Sequence, residues 1–372
     1  MLGRRSTQHA ARSVVAVGAV AMMLTACSNG GPGEADPSEG DSGSEIDSVR
    51  VAYTSSVDPG EVAFYAAALE FGSEFGLSQE EDDLQVFDSH GTATQVALSG
   101  GADVVAGSFL SSLQVIAEGE PLRAFCPASS GFDSRLVGVG DVDDLQMVTD
   151  PETRLAIEGP GGPVNFFTDL VLRARGVDIN TTEMTNVSII EDSPLRVAAL
   201  ANGDVDVALI NAFQVPQLEE QIGAENVHIL SNVMEDVGGG GIFLAFAASE
   251  DYLDNNLDEA IAFCASVLQS NRALAGDFDR YKELSDKYIE PDVEEELLRE
   301  TWESVVDATL WPYNNGLTEE GVQQVIDIAM ETGLLDTELA YEDVVDTRVI
   351  EGALELVGGE VDAQTIKDQA GI

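Results

Sequence analysis

The feature that most constrains this sequence is an order of strands and helices that occurs twice, about a hundred residues apart. In the first copy a helical segment ends in Gly100-Gly101, and Asp103 opens an apolar strand. In the second copy Gly203-Asp204-Val205-Asp206 stands in the same place before Val207-Ala208-Leu209. Strands that alternate with helices predict a parallel sheet with helices on both faces. Two copies are too few for a solenoid, so the repeat predicts two similar α/β lobes that face each other.

The predicted elements of each copy are short. In the first copy strands are predicted at 48–53, 84–87 and 103–106, with helices that begin at Asp58-Pro59, Thr94 and Leu110. In the second copy the predicted strands are 155–157, 187–190 and 205–209, and the predicted helices are 164–175 and 195–201. Asp58 is assigned to the cap of its helix, with Pro59 at the first helical position.

Two extended apolar runs with glycine-rich flanks, 135–139 and 242–247, are predicted to be the crossing strands of a hinge. The second run should return the chain to the first lobe. The amphipathic helices from Leu257 onward should then brace that lobe. The predicted domains are therefore lobe I at 48–138 and 242–372, and lobe II at 139–241.

The amino terminus has the pattern of a lipoprotein signal. Three arginines precede an apolar run that is too short for the ~20 residues of a membrane span. The run ends in Leu24-Thr25-Ala26-Cys27, which matches the lipobox of bacterial lipoproteins. Residues 1–26 are therefore predicted to be removed, leaving Cys27 to carry lipid on the outer face of the cell membrane. Arg4-Arg5 leaves the choice between general secretion and twin-arginine export open.

The stretch 27–47 is rich in Ser, Gly, Pro, Asp and Glu and is predicted to be a flexible tether. The whole chain has 17 Lys and Arg against 68 Asp and Glu, a net charge of −51. This charge argues against nucleic acid or anionic lipid headgroups as partners. It is equally consistent with adaptation to a saline habitat and with an acid-biased proteome.

Two cysteines follow the lipobox, Cys126 and Cys264, each in an apolar run. In an exported protein they can form a disulfide, and in a core each can remain a small apolar residue. The sequence leaves both alternatives open.

Ligands of open parallel sheets bind beyond the carboxyl ends of the strands, so the loops there are the candidate site. Their neutral polar residues precede helices, whose free N–H groups can hold an anion or a polar head group. The same residues can also serve simply as helix caps. Phe109 and Phe213 hold matching places and are candidates to stack on a ring, whereas Phe132 and Trp311 are assigned to the core. The predicted ligand-binding residues are Ser55, Ser56, His90, Thr92, Thr94, Ser108, Phe109, Gly161, Gly162, Asn165, Asn211 and Phe213.

Arg135 and Arg196 are the basic residues near the predicted cleft that could neutralise an anion, although each can equally be a surface ion-pair partner. His90 ends the second predicted strand and can donate to a ligand. His228 lies in an apolar strand and is assigned a structural role.

Together with the lipobox, four segments resemble the nitrate, sulfonate and taurine-type periplasmic-binding family, which also contains binders of thiamine pyrimidine precursors. The segments are 95–104, 117–119, 159–162 and 199–206. The resemblance implies a type 2 periplasmic-binding fold in which two lobes close on a small solute. It also implies delivery to the permease and ATPase subunits of an ABC importer. It does not identify the ligand, which could be an anion or a pyrimidine precursor.

An enzyme would require a nucleophile with its base, a metal cluster or paired carboxylates in a cleft. The sequence has no Gly-x-Ser-x-Gly motif, and it lacks the cysteine cluster of the pyrimidine synthases that share this fold. We therefore expect a monomeric binding protein without catalytic residues, cofactor or metal. A ligand-sensing lobe for a membrane receptor remains an alternative, and a synthase-like enzyme a more distant one.

Overall fold

The computed structural model describes residues 48–372, except 54–56, 88–89, 132, 160–161, 178, 238–240 and 290–292. The predicted signal, Cys27 and the tether therefore lie outside the described residues. The strands are β1 (Val51–Tyr53), β2 (Leu84–Val86), β3 (Val104–Ser108), β4 (Leu122–Ser129), β5 (Ser134–Val139), β6 (Leu155–Ile157), β7 (Val187–Ile189), β8 (Val207–Asn211), β9 (Val227–Asn232) and β10 (Leu244–Ser249). They form two sheets, with the orders β2-β1-β3-β10-β4 and β7-β6-β8-β5-β9.

The two sheets have the same plan. In the first, β1 pairs in parallel with β2 and β3, and in the second, β6 pairs in parallel with β7 and β8. Each sheet also contains one strand that runs opposite to its neighbours, β10 between β3 and β4, and β5 between β8 and β9. The predicted two-lobed α/β fold with mostly parallel sheets is confirmed.

A repeated ion pair explains the Gly-Asp motif of the two copies. Arg50 donates from Nε and Nη2 to the Asp103 carboxylate at 3.0 and 2.5 Å, and Arg154 does the same to Asp206 at 2.9 and 2.6 Å. The backbone N–H of each arginine also donates to that carboxylate, at 2.8 and 2.7 Å. The aspartate N–H groups donate back to the arginine carbonyls. The motif therefore joins the starts of β1 and β3 in lobe I and the starts of β6 and β8 in lobe II.

The chain crosses between the sheets twice, at 130–133 and at 233–243. The first crossing is held at both ends, because Ser130 N–H donates to the Leu310 carbonyl at 2.7 Å and Ser304 donates to Asp133 at 2.6 Å. The two runs predicted to cross are instead β5 and β10, the first strand after each crossing. Since β5 lies wholly in the second sheet, lobe II begins before Ser134 and not at the predicted residue 139.

Helices cover both faces of the sheets. They are α1 (Val62–Tyr65), α2 (Ala67–Phe71), α3 (His90–Leu98), α4 (Phe109–Ala117), α5 (Pro163–Ala174), α6 (Ser193–Asn202), α7 (Gln214–Ile222), α8 (Val233–Asp236), α9 (Glu250–Asn255), α10 (Leu257–Gly276), α11 (Phe278–Tyr288), α12 (Glu295–Asp307), α13 (Glu319–Glu331), α14 (Tyr341–Val344), α15 (Thr347–Leu356) and α16 (Ala363–Ala370). No helix among the described residues is long and apolar enough to cross a bilayer.

The helix α10 is the central support of lobe I. Its residues Phe263 and Cys264 are buried in one core with Phe246 of β10, and the Phe246 and Phe263 rings lie 4.9 Å apart, edge to face. Cys264 forms a disulfide with Cys126 of β4, with 5.6 Å between their Cα atoms. Of the two alternatives that the sequence left open, the structure therefore has the disulfide.

One of the carboxyl-terminal helices, α13, contacts both lobes, which differs from the prediction that these helices brace lobe I alone. Helix α13 packs in one apolar core with Ile242 of the second crossing and with residues of α4 and α5. Arg173, on α5 of lobe II, donates to the Glu331 carbonyl at the end of α13 at 3.4 Å. Phe167 of α5 and Phe243 of the crossing lie 5.6 Å apart. The apolar core is therefore continuous between the lobes.

Candidate functional site

The carboxyl ends of the strands in both sheets lie next to the two crossings. Ser108, which ends β3, pairs with Leu244 just after the second crossing. Asn211, which ends β8, pairs with Ser134 just after the first. The loops that follow the strands therefore face each other between the lobes, where ligands of such sheets bind.

A tight turn after β1 presents the carboxylate of Asp58 at this edge. Its Oδ1 accepts from the Gly60 N–H at 2.8 Å. Two buried aromatic residues hold the turn from behind: Tyr281 donates to the Pro59 carbonyl at 3.0 Å, and Trp311 Nε1 donates to the Gly60 carbonyl at 2.7 Å. Burial raises the pKa of Asp58 to about 6, against the lowering effect of the backbone N–H groups. The predicted helix cap is thus a clamped turn, and the first helix starts only at Val62.

One hydrogen bond joins the loops of the two lobes at this place. Asn211 Nδ2 of lobe II donates to Asp58 Oδ2 of lobe I at 3.1 Å. Asn211 is itself positioned within lobe II, because its backbone N–H donates to Gln214 Oε1 at 3.0 Å and its Oδ1 lies 3.4 Å from the Ser134 hydroxyl. Asp58 and Asn211 therefore mark the point at which the lobes meet through polar groups.

His90 and Thr94 share one face of α3, one turn apart, and α3 packs on β1 and β3. Thr94 is 1% exposed. Both ring nitrogens of His90 and the Thr94 hydroxyl are buried without a hydrogen-bond partner among the described residues. Burial lowers the pKa of His90 to about 4, so the imidazole is neutral at pH 7. These groups can still donate or accept hydrogen bonds.

Two of the helix amino termini that were expected to hold an anion, those of α4 and α5, are already occupied by side chains. Ser108 caps α4 and accepts from the Ser111 N–H at 3.3 Å. Glu158 follows β6 and accepts from the Val164 N–H in the first turn of α5 at 3.2 Å. Burial raises the pKa of Glu158. A carboxylate therefore lies where α5 would otherwise attract an anion.

The two arginines of the predicted cleft are also engaged. Arg135 forms an ion pair with Asp133 at 2.6 Å. Arg196 is 3% exposed and donates to the carbonyls of Leu209, Ile190 and Glu191 at 2.7–3.0 Å. Both arginines thus have structural partners.

The other predicted residues lie in different environments. Phe109 is 0% exposed and packs in the core, so it presents no ring to the cleft, and Trp311 is buried as expected. Asn165 is buried within lobe II, where it accepts from the Gly159 N–H at 3.3 Å. Phe213 is partly exposed next to Asn211, Gly162 caps α5, and Thr92 is exposed. Ser55, Ser56, Gly161 and Phe132 lie outside the described residues.

Sequence reasoning missed Asp58 and Glu158 as residues of the site. Both directly follow the loops or strands that were singled out, but among 68 acidic residues neither is distinctive. The position of an acidic residue just beyond β1 or β6 was the available signal. No set of three His, Cys, Asp or Glu residues is arranged to hold a metal ion in the part of the chain that the structure describes.

No family model and no curated protein matches the sequence. The fold, by contrast, is similar to several solved structures. The periplasmic nitrate-binding protein NrtA from Synechocystis PCC 6803 has a TM-score of 0.66 at 13% identity, over 87% of this chain and 91% of that one. A putative periplasmic sulfonate-binding protein, SsuA from Methylobacillus flagellatus KT, has a TM-score of 0.62 at 17% identity, over 85% and 96%.

A Candida albicans protein described as having the generic periplasmic binding protein fold has a TM-score of 0.59 at 14% identity, over 85% and 98% of the two chains. Similarity at this level of identity establishes the fold and not the ligand. The three solved structures cover 85% to 87% of this chain and 91% to 98% of their own chains. The chain therefore has the periplasmic-binding-protein fold.

Proposed function

We propose that this protein is the extracytoplasmic solute-binding subunit of an ABC importer, anchored to the outer face of the cell membrane by lipid on Cys27. It binds a small solute between its lobes, does not convert it, and delivers it to a permease driven by an ATPase. The observation that carries this proposal is the hydrogen bond between Asp58 and Asn211, which places polar groups of both lobes against each other at the carboxyl ends of the strands.

The proposed site includes residues from both lobes. Lobe I contributes Asp58, His90 and Thr94, and lobe II contributes Asn211 and Phe213. A solute that contacts both sets favours the closed arrangement, because it binds that arrangement better than an open one. Ser55, Ser56, Thr92, Gly161 and Gly162 remain proposed contacts on the basis of the sequence.

The test is a screen of small solutes by thermal shift, followed by calorimetry and small-angle scattering on each hit. A solute present at 100 times its Kd should stabilise the protein by about 2.7 kcal/mol. We expect the radius of gyration to decrease when the solute binds. Binding without compaction, or a screen of a broad solute library without any hit, would contradict the proposal.

The anchor is tested separately with Cys27→Ala in the native host. Without the thiol the protein should be released in soluble form or remain as uncleaved precursor. A cleaved variant that still partitions entirely into membranes would show that Cys27 is not the anchor.

A further inference from the structure

The carboxylate of Asp58 is the polar group of the site that is best prepared to receive a ligand. Its Oδ1 is held by the turn, whereas its Oδ2 faces lobe II and accepts one N–H from Asn211. A carboxylate oxygen accepts only, so whatever binds at Oδ2 must donate. The carboxamide NH₂ of Asn211 occupies the place where a donor group of the ligand would bind.

We infer that the solute carries a cationic or amino N–H donor, such as an ammonium, an amidine or an aminoheterocycle, that binds Asp58 in place of the Asn211 amide while its other groups contact lobe II, so that the solute itself takes over the contact between the lobes. The inference rests on the proposed solute-binding function and specifies its ligand class. Hydrogen bonds between a charged donor and a carboxylate are stronger than those between neutral groups, so an ammonium or amidine competes effectively with the Asn211 carboxamide.

The groups around Asp58 support a donor and oppose an anion. Three N–H groups at this edge that might bind an anion are used internally: Ser111 by Ser108, Val164 by Glu158, and Asn211 by Gln214. A sulfonate or nitrate would therefore meet the carboxylates of Asp58 and Glu158 without a free arginine among the described residues of the cleft. A buried anion without such compensation is unfavourable.

Lobe I also offers groups for the remainder of the solute. The imidazole of His90 and the hydroxyl of Thr94 are buried and unpaired among the described residues. A buried polar group gains from any partner that the ligand brings. These two groups suit a ligand with several polar atoms, such as an amidine or an aminoheterocycle.

The experiment compares compounds that differ in the donor group, alongside the broad solute library. The pairs are benzamidine and benzoate, aminopyrimidine and pyrimidine, and propylammonium and propanesulfonate, with nitrate and taurine added. Binding is measured by thermal shift and calorimetry to the full chain, to Asp58→Asn, and to Asp279→Asn. Asp279 is an exposed residue of α11, so its variant has the same change of charge away from the cleft.

We expect the hits to be donor-bearing compounds, with affinity at least tenfold lower in Asp58→Asn and unchanged in Asp279→Asn. Asp58→Asn should keep its fold, which circular dichroism verifies. Tight binding of an anion with compaction would overturn the ligand class while leaving the transport function intact. Equal affinity of Asp58→Asn and the wild type for a donor-bearing hit would also overturn it. A library without any ligand would contradict the function itself.

Discussion

Asp58 lies where the lobes are joined by a hydrogen bond, although the folded protein disfavours the charge of its carboxylate. Its pKa rises to about 6 because it is buried, and its backbone donors only partly offset that effect. Groups with a perturbed pKa in a cleft are typical of functional sites. The charged form of Asp58 lowers the free energy of unfolding at neutral pH. Binding of a cation or an N–H donor is expected to stabilise this charged form.

The first prediction concerns the stability of Asp58→Asn. The folded pKa of Asp58 is above its unfolded value, so the native state holds the proton more tightly and the wild type loses stability as pH rises from about 4 through about 6. Asparagine has no such loss. We expect Asp58→Asn to be more stable than the wild type by about 1–3 kcal/mol at pH 7.5, and the gain to vanish near pH 4.

Urea unfolding at the two pH values provides the measurement, and Asp279→Asn is the control for a change of charge alone. If Asp58→Asn lowers the free energy of unfolding equally at both pH values, the Asp58 side chain is needed for the structure and its charge is not disfavoured by burial.

At the level of single residues, the sequence located the loops of the site better than the roles of their side chains. His90 and Asn211 are at the predicted edge, but Ser108 caps a helix and Asn165 fixes a loop. Residue type does not distinguish a cap from a ligand contact, since both need a hydroxyl or amide at a helix start. Whether Phe109 faces a cleft or a core depends on packing from other segments, which local sequence does not contain.

Among the elements, the two arginine–aspartate pairs show why the repeat was visible in the sequence. Asp103 joins the start of β3 to the residue before β1, and Asp206 joins the start of β8 to the residue before β6. Both copies therefore need an acidic residue after a glycine turn. The helices and central strands were predictable because their apolar spacing is local. The assignment of β5 to lobe II was not, because it depends on pairing with β8 and β9.

The second prediction is that Asp103→Ala and Asp206→Ala have similar effects. Each change leaves an arginine backbone N–H without its carboxylate acceptor. The two aspartate side chains are similarly exposed, at 18% and 24%, so the two losses should be comparable. We expect each to lower the free energy of unfolding by about 1–2 kcal/mol. Denaturant melts of both variants are the measurement. A large effect in one lobe and none in the other would show that the pairs are not equivalent supports.

For the molecule as a whole, the third prediction concerns the contact between the lobes. Asn211→Ala removes the hydrogen bond to Asp58, while its backbone N–H can still donate to Gln214. The unliganded protein should then favour a more open arrangement, seen as a larger radius of gyration in scattering. Gln364→Ala serves as a control, because Gln364 is exposed on α16 and its side chain donates to Asp368 of the same helix. An unchanged radius would indicate that the apolar core around α13 and the Arg173–Glu331 hydrogen bond hold the lobes together without Asn211.

The fourth prediction concerns the net charge of −51. Like charges on a compact surface repel, and salt screens that repulsion over about 10 Å at 0.1 M. The melting temperature should therefore rise between low and molar sodium chloride. Equal melting temperatures across that range would exclude screening of surface repulsion as a source of stability.

The path by which the chain leaves lobe I and returns to it also limits the order in which the protein can assemble. The sheet of lobe II lies within the continuous stretch 134–232, whereas β3 and β4 acquire the strand between them only when β10 has been made. Chains emerge amino terminus first, so lobe II can complete its sheet while lobe I still has open strand edges. Cys126 cannot form its disulfide until Cys264, 138 residues further along the chain, has also been made. The facing edges of β3 and β4, although made before lobe II, are thus the last to be paired, and mispairing during folding should begin there.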